Sequence, residues 1–161
     1  MSATDRKILI NYKLTIRRYL IELNELCLEK PLENKLLSLE KTEHIQQVSF
    51  LKRKPARKIR IYFEEKTTDR FKKYVTGLHR ANPNSVYIWT ENSNSCGLFE
   101  ISSLLNFNFG FGFGVNTQGI VALLTSDLTD SLVLDFSHGG TASGQELEID
   151  VSGDRWPAVN Y

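Results

Sequence analysis

Five carboxylates in the C-terminal third of the chain are the residues best placed to do chemistry. In the segment ELEIDV, Glu146, Glu148 and Asp150 alternate with apolar residues. On a strand they would share one side, at a spacing of about 7 Å. Asp127 and Asp130 lie in the turn segment SDLTD. A divalent cation would need ligands that converge on one point. A row in one plane instead suits a solvent-facing surface or a contact with a basic protein.

The histidines and serines form no recognisable catalytic motif. His44, His79 and His138 lack metal-ligand spacing, and we interpret them as surface residues, although a nuclease pair of histidines remains an alternative. The serines near the C-terminal turns lack the G-x-S-x-G nucleophile elbow. We therefore predict no catalytic residue, no metal site and no cofactor.

The run NFNFGFGFGVN (106–116) places Phe107, Phe109, Phe111 and Phe113 between Asn and Gly residues. A phosphate-binding loop would need its glycines between a strand and a helix, or a Gly-Lys-Ser/Thr motif, and neither occurs. An RNA-binding strand would use such aromatic residues to stack on bases. A core strand would bury all four rings on one face.

The RNA interpretation fits GFGFGV (110–115) only in part, even with VYIW (86–89) as a companion strand. Phe109 stands where a basic residue belongs, and Asn116 where the last aromatic residue belongs. The surrounding half of the chain is also acidic, whereas phosphate attraction requires positive charge. We predict a core strand and leave the Asn/Gly face unexplained.

Periodicity supplies the elements that must position these residues. Apolar residues recur at three- and four-residue intervals from Leu9 to Cys27, which predicts a helix capped by Ser2 or Thr4. Pro31 can open a second helix. Alternation predicts a strand at 58–63 and another at 86–91, with a helix between them, so a parallel crossover is possible.

The C-terminal half is predicted to be β-rich. The Phe run and IVALLT suit a hairpin, SDLTD turns into SLVLDF, SHGGTASGQ (137–145) is a flexible loop, and ELEIDV is the last strand. The predicted fold class is α+β, with N-terminal helices packed on a largely antiparallel sheet formed mainly by the C-terminal half. We treat residues 1–161 as one domain.

Charge divides the chain into two halves. Residues 1–80 hold 19 of the 20 Lys and Arg with 10 of the 19 Asp and Glu, a net of +9, and residues 81–161 hold Arg155 and nine acids, a net of −8. Such a division concerns partners rather than fold. The two halves can also pair within the molecule. The segment KRKPARKIR (52–60) is either a nucleic-acid or acidic-protein contact or a solvated loop.

Two further features bear on the expected cellular compartment of the protein. The N-terminal sequence has neither a signal peptide nor a membrane span, so we expect a cytoplasmic protein without a membrane partner. Cys27 and Cys96 are the two cysteines, and we expect buried, reduced thiols.

The segments GLFEISSLLNFNFGF, GIVALLTSDLTDSLVLDFS and SGDRW resemble immunity proteins of enterobacterial contact-dependent growth inhibition systems. The resemblance implies a cytoplasmic protein that binds and blocks a cognate toxin domain, often a nuclease, without being an enzyme. It carries over no functional residue. From charge alone we predict Glu146, Glu148, Asp150, Asp127 and Asp130 as toxin-binding residues. The alternative is a nucleic-acid-binding protein that uses the basic half, and we expect no small-molecule ligand.

Overall fold

The computed structural model describes residues 1–49, 55–138, 140–141 and 144–161. The helices are α1 (Ala3–Leu26), α2 (Leu39–Ser49), α3 (Asp69–Ala81) and α4 (Ser93–Cys96). The strands are β1 (Arg57–Tyr62), β2 (Val86–Trp89), β3 (Phe99–Ile101), β4 (Ile120–Thr125), β5 (Asp130–Asp135), β6 (Gly140–Thr141) and β7 (Gly144–Gly153). The predicted α+β class is confirmed, because helices dominate the N-terminal half and an antiparallel sheet the C-terminal half.

The sheet has the strand order β1-β7-β5-β4-β2-β3, and β6 adds to β7. Every pairing between these strands is antiparallel. Four antiparallel pairings lead from β1 to β2, so these two strands run in the same direction. The connection through α3 is therefore the parallel crossover considered for residues 58–91, and it passes over β7, β5 and β4, which lie between the two strands. The last strand of the chain is inserted next to the first one, and this long-range pairing leaves no trace in local periodicity.

Capping residues set the start of the two long helices. Ser2 and Asp5 form a capping box at the start of α1, and the Thr68 hydroxyl accepts the Phe71 N–H at the start of α3. The prediction of a helix that begins at Pro31 is wrong. Leu37 N–H donates to Leu98 O at 2.9 Å, which holds the chain extended there, so α2 begins only at Leu39.

The two faces of the sheet are covered differently. The main core contains the inward side chains of β7, Leu147, Ile149 and Val151, together with residues of α1 and α3. The opposite face carries a smaller cluster in which Ile45 of α2 packs on Tyr87 and Leu124. Around Lys58 and Arg60 this second face is exposed, so charged residues can occupy it.

The Phe run is not a strand. Residues 108–119 form turns and bends, and Phe107 makes only an isolated antiparallel bridge with Cys27. The rings nevertheless face inward as expected, with Phe107 and Phe111 buried and Phe109 and Phe113 half-buried. Turns can therefore direct alternate side chains into one core without the hydrogen-bonded pairing of a β-strand.

Polar positions of the same run bind the C-terminal end of α1. Asn108 N–H donates to Leu26 O at 2.8 Å, and the Asn108 side-chain amide donates to Glu25 O at 2.7 Å. Gly112 N–H donates to the Glu25 carboxylate at 2.8 Å. The two Asn108 donors satisfy carbonyl groups that a helix end leaves unpaired, and the Gly112 donor binds a side chain of the same helix turn. The Asn/Gly side of the run is thus a helix-docking surface.

Candidate functional site

The predicted row of carboxylates lies on β7. Glu146, Glu148 and Asp150 are half-buried and alternate with fully buried Leu147, Ile149 and Val151. The strand and the sidedness of its residues are as predicted. The apolar side anchors the row to the main core, so the carboxylates keep a fixed spacing along the strand.

The neighbouring strand supplies cations to this row. β1 pairs with β7 so that Lys58 is opposite Asp150 and Arg60 is opposite Glu148. Lys58 Nζ lies 3.2 Å from Glu148 Oε1 and 3.5 Å from Asp150 Oδ1. Arg60 lies 2.9 Å from Glu148 Oε2. Hydrogen bonds from Lys58 and Arg60 lower the pKa of Glu148, which therefore stays ionised at neutral pH.

The two sides of these ion pairs differ in exposure. The side chain of Glu148 is 12% exposed, whereas those of Lys58 and Arg60 are 61% and 75% exposed. The carboxylate is fixed and the cations can move away. A matching signal was present in the sequence, because KIR in β1 alternates in the same period as ELEID in β7. The sequence did not indicate that β1 is the strand that pairs with β7.

A shallow depression of about 240 Å³ lies at the end of the row, lined by Arg60, His138, Glu146 and Glu148. His138 Nε2 lies 3.3 Å from an Asp135 carboxylate oxygen on the adjacent strand. Among described residues, Glu146 has no ion-pair partner within 4.0 Å. The depression therefore presents one paired and one unpaired carboxylate, an arrangement that accepts a guanidinium or ammonium group.

The other two predicted residues form a separate cluster at the β4–β5 turn. Asp130 is fully buried. Its Oδ1 accepts the backbone N–H groups of Arg155 and Trp156 at 2.8 and 2.9 Å, and its Oδ2 accepts the Asn82 amide at 2.8 Å. Asp130 ties the turn to α3 and to the C-terminal segment. It has no surface to offer a partner, so its role here is structural.

Asp127 is exposed but engaged by the same turn. Its Oδ1 accepts the hydroxyl groups of Thr125 at 2.7 Å and Thr129 at 2.9 Å. Burial alone would raise its pKa, but hydrogen bonds from Thr125, Thr129 and Asn82 lower the pKa to about 2. Asp130 opposes Gly153, five residues beyond Glu148 along β7, or about 17 Å of strand. The structure thus brings the β7 row together but leaves the turn pair apart from it.

Sequence reasoning missed Lys66, a buried cation held among the Phe rings. The residue is 3% exposed. Its Nζ donates to Phe111 O at 2.8 Å and lies 4.0 and 4.6 Å from the ring centroids of Phe63 and Phe111. Burial lowers its pKa to about 8. Aromatic faces attract cations, so one function of the Phe run is to hold this ammonium group. A lone Lys in EEKTT gives no signal of burial.

The other residues considered from the sequence include the two cysteines and His79, and we assign none of these three to the β7 row. Cys27 and Cys96 are buried free thiols, as expected, and burial raises their pKa values to about 12 and 11. His79 Nδ1 lies 3.3 Å from Ser103 Oγ. Residues 52–54 of the basic segment lie outside the described residues, as do 139, 142 and 143 of the loop expected to be flexible.

The arrangement of metal-ligating side chains and the composition of the helices bear on wider classes of function. Within the described ranges, no group of three or more His, Cys, Asp or Glu side chains is placed to hold a metal ion. Each helix in the described part of the chain is too short or too polar to cross a lipid bilayer. Comparisons with protein-family models, curated proteins and solved structures found no match.

Proposed function

We propose that this protein is an immunity protein that binds and neutralises a cognate toxin domain, a nuclease, in the cytoplasm. The observation that carries the proposal is the β7 row on the exposed part of the sheet, with fixed carboxylates and movable cations. A nuclease presents Lys and Arg to phosphates, so an acidic surface can occupy the same electrostatic field. The resemblance of the C-terminal segments to immunity proteins supports the same interpretation.

The geometry suggests how such a complex would form. A toxin Arg or Lys enters the depression and meets Glu146 first, because that carboxylate has no partner among the described residues. The incoming cation then competes with Arg60 for Glu148. The exchange replaces one ion pair by another, so Glu148 is never left unpaired in a buried interface.

The first experiment tests neutralisation. The reading frame immediately upstream is sequenced, and a toxin domain found in it is expressed in a bacterial host with and without this protein. We expect growth arrest without it, growth with it, and a complex that co-purifies. Growth arrest that persists while the protein is folded and present would overturn the proposal.

The second experiment separates the toxin contact from the internal ion pair. The fourfold variant Lys58→Glu/Arg60→Glu/Glu148→Lys/Asp150→Lys inverts the whole cross-strand group of ion pairs and keeps both its attraction and the net charge. We expect near-normal melting and an association rate with the toxin domain slowed by about tenfold or more, because complementary charge sets association rates. A normal association rate would show that the β7 carboxylates form ion pairs only within this chain and do not contact the toxin. Glu40→Lys, at an exposed position of α2, is the control for a charge change elsewhere.

A second candidate function is nucleic-acid binding by the basic half. The observation that favours it is the outer face of α3, where Lys72, Lys73 and Arg80 line a surface depression of about 560 Å³. Binding to RNA or DNA that falls steeply with salt, and that Lys72→Gln/Lys73→Gln weakens, would favour this candidate over the first.

A further inference from the structure

The N-terminal half of α1 projects from the body of the protein. Every residue from Met1 to Asn11 is exposed, and burial begins only around Thr15 and Tyr19. Tyr19, Leu23 and Leu26 attach the second half of the helix to the main core. The helix is therefore anchored at its C-terminal end and free along its outer side.

A line of apolar residues follows the outer side of this helix. Ile10, Leu14 and Ile21 are 56%, 75% and 66% exposed, and spacings of four and seven residues place them on one face. This face is opposite to the one that Tyr19 and Leu23 bury. Single exposed apolar residues are ordinary, but an aligned set on a long helix marks an interaction surface.

Cations surround this line. Residues 6–21 of α1 contain five cations and no carboxylate: Arg6, Lys7, Lys13, Arg17 and Arg18. At 100° per residue all five lie within a quarter-turn on either side of the apolar line, and Arg17 and Lys7 lie nearest to it, each about 40° from its centre. Within described contacts only Arg18 is engaged by another side chain, 3.3 Å from Asn92. The occupant of this face must therefore be both apolar and acidic.

A second copy of the chain does not meet this requirement. An antiparallel pairing that matched Ile10 with Ile21 of the other copy would also set Lys13 against Arg18 and bring Arg17 of both copies to the centre. A parallel pairing would oppose identical cations directly. Like charges across a helix interface are destabilising, so charge excludes the self-paired arrangement.

We propose that the outer face of α1 binds an anionic lipid surface, lying in the interface with Ile10, Leu14 and Ile21 inserted. A basic helix with an apolar stripe has this behaviour, because the long Lys and Arg side chains reach the headgroups while the stripe enters the acyl boundary. A flat anionic surface satisfies cations spread over half of the helix circumference, which a single partner helix cannot.

The rest of the molecule is compatible with that orientation. The β7 carboxylates point away from the main core that α1 and α3 share, so they are on the side opposite to the helix layer. Because the apolar positions of α1 alternate with charges, hydropathy along the chain gives no sign of this face. The inference does not depend on the proposed toxin contact, and it replaces the expectation from the sequence that the protein has no membrane partner.

The experiment measures co-sedimentation of the purified full chain with two kinds of vesicle, phosphatidylcholine alone and phosphatidylcholine mixed with phosphatidylglycerol. We expect binding to the anionic vesicles only, weakened by salt. Lys13→Gln/Arg17→Gln should lower the partition coefficient about tenfold or more, since each cation near an anionic surface contributes about 1 kcal/mol. Ile10→Gln/Leu14→Gln should weaken binding without changing charge. The matched controls on α2 are Lys41→Gln and Val48→Gln.

The outcomes divide cleanly. Loss of binding in both α1 variants, with normal melting and unchanged controls, supports the proposal. No binding to anionic vesicles at low salt overturns it, and so does binding that Ile10→Gln/Leu14→Gln leaves intact. Concentration-dependent self-association that this apolar variant abolishes, seen by sedimentation without lipid, would identify a second copy instead and also overturn it.

Discussion

The two groups of carboxylates predicted to bind a partner are held in opposite ways. Asp130 is buried at the β4–β5 turn and accepts two backbone N–H groups and the Asn82 amide. Glu148 lies on the exposed part of the sheet and accepts hydrogen bonds from two solvent-exposed cations. Fixed donors make an acid structural, whereas exposed cations leave it exchangeable. Charge type alone does not separate the two cases.

The largest expected effect comes from removing the buried acid. Asp130→Ala should lower the free energy of unfolding by about 3–5 kcal/mol, because each buried donor left without an acceptor costs about 1–3 kcal/mol. Chemical denaturation measures the loss. The control is Asp154→Ala, an exposed acid next to the same turn, which should stay within about 0.5 kcal/mol. A loss of similar size in both variants would remove the distinction between the clusters.

The next effect concerns acid stability. Hydrogen bonds at the turn outweigh burial and lower the pKa values of Asp127, to about 2, and of Asp130. A pKa below the unfolded value stabilises the fold above that value, and this stability is lost as pH falls. We expect the melting temperature to drop between about pH 4 and pH 2. Asp127→Asn should flatten this drop, and an unchanged pH profile would contradict the assignment.

A smaller effect is expected at the strand row. Glu148→Gln should shift the melting temperature by no more than about 2–4 °C, because an ion pair with solvent-exposed cations contributes little net stability. Toxin association should slow even so. Differential scanning calorimetry and stopped-flow association measure the two quantities on the same sample. A large melting shift with normal association would make Glu148 structural like Asp130.

The smallest effect is a difference in salt response. Raising the ionic strength should erase the melting difference between Glu148→Gln and the unaltered chain, since exposed charges are screened. The penalty of Asp130→Ala should persist, because its donors are buried backbone groups. Thermal melts in low and high salt compare the two. Equal salt sensitivity would mean that the clusters do not differ in kind.

Local sequence patterns predicted the elements whose own residues decide them. β7 alternates in burial because one side must fill the core, and α1 and α3 begin at capping side chains that hydrogen-bond within four residues. The carboxylate row on β7 followed from that alternation. Long-range pairing was not predictable, so neither the Lys58 and Arg60 partners nor the burial of Asp130 could be foreseen.

The Phe run shows why a pattern can be right about burial and wrong about structure. Alternation requires only that every second side chain point inward, and a series of turns docked on a helix end achieves this. Glycine weakens a strand, and Asn108 uses its side chain to accept the Gly110 N–H in a local turn. Sequence spacing cannot distinguish these solutions.

The amine of Lys66 can report how often this packing opens. With a pKa lowered to about 8, about a tenth of the amine is neutral and nucleophilic at pH 7. Because the residue is 3% exposed, an acylating reagent reaches it only when the packing around it opens. Lys58 in the same molecule has a 61% exposed side chain and gives the reference rate of an accessible amine. The ratio of the two acylation rates, read by mass spectrometry, therefore reports how often the packing around Lys66 opens, which includes its contacts with Phe63 and Phe111.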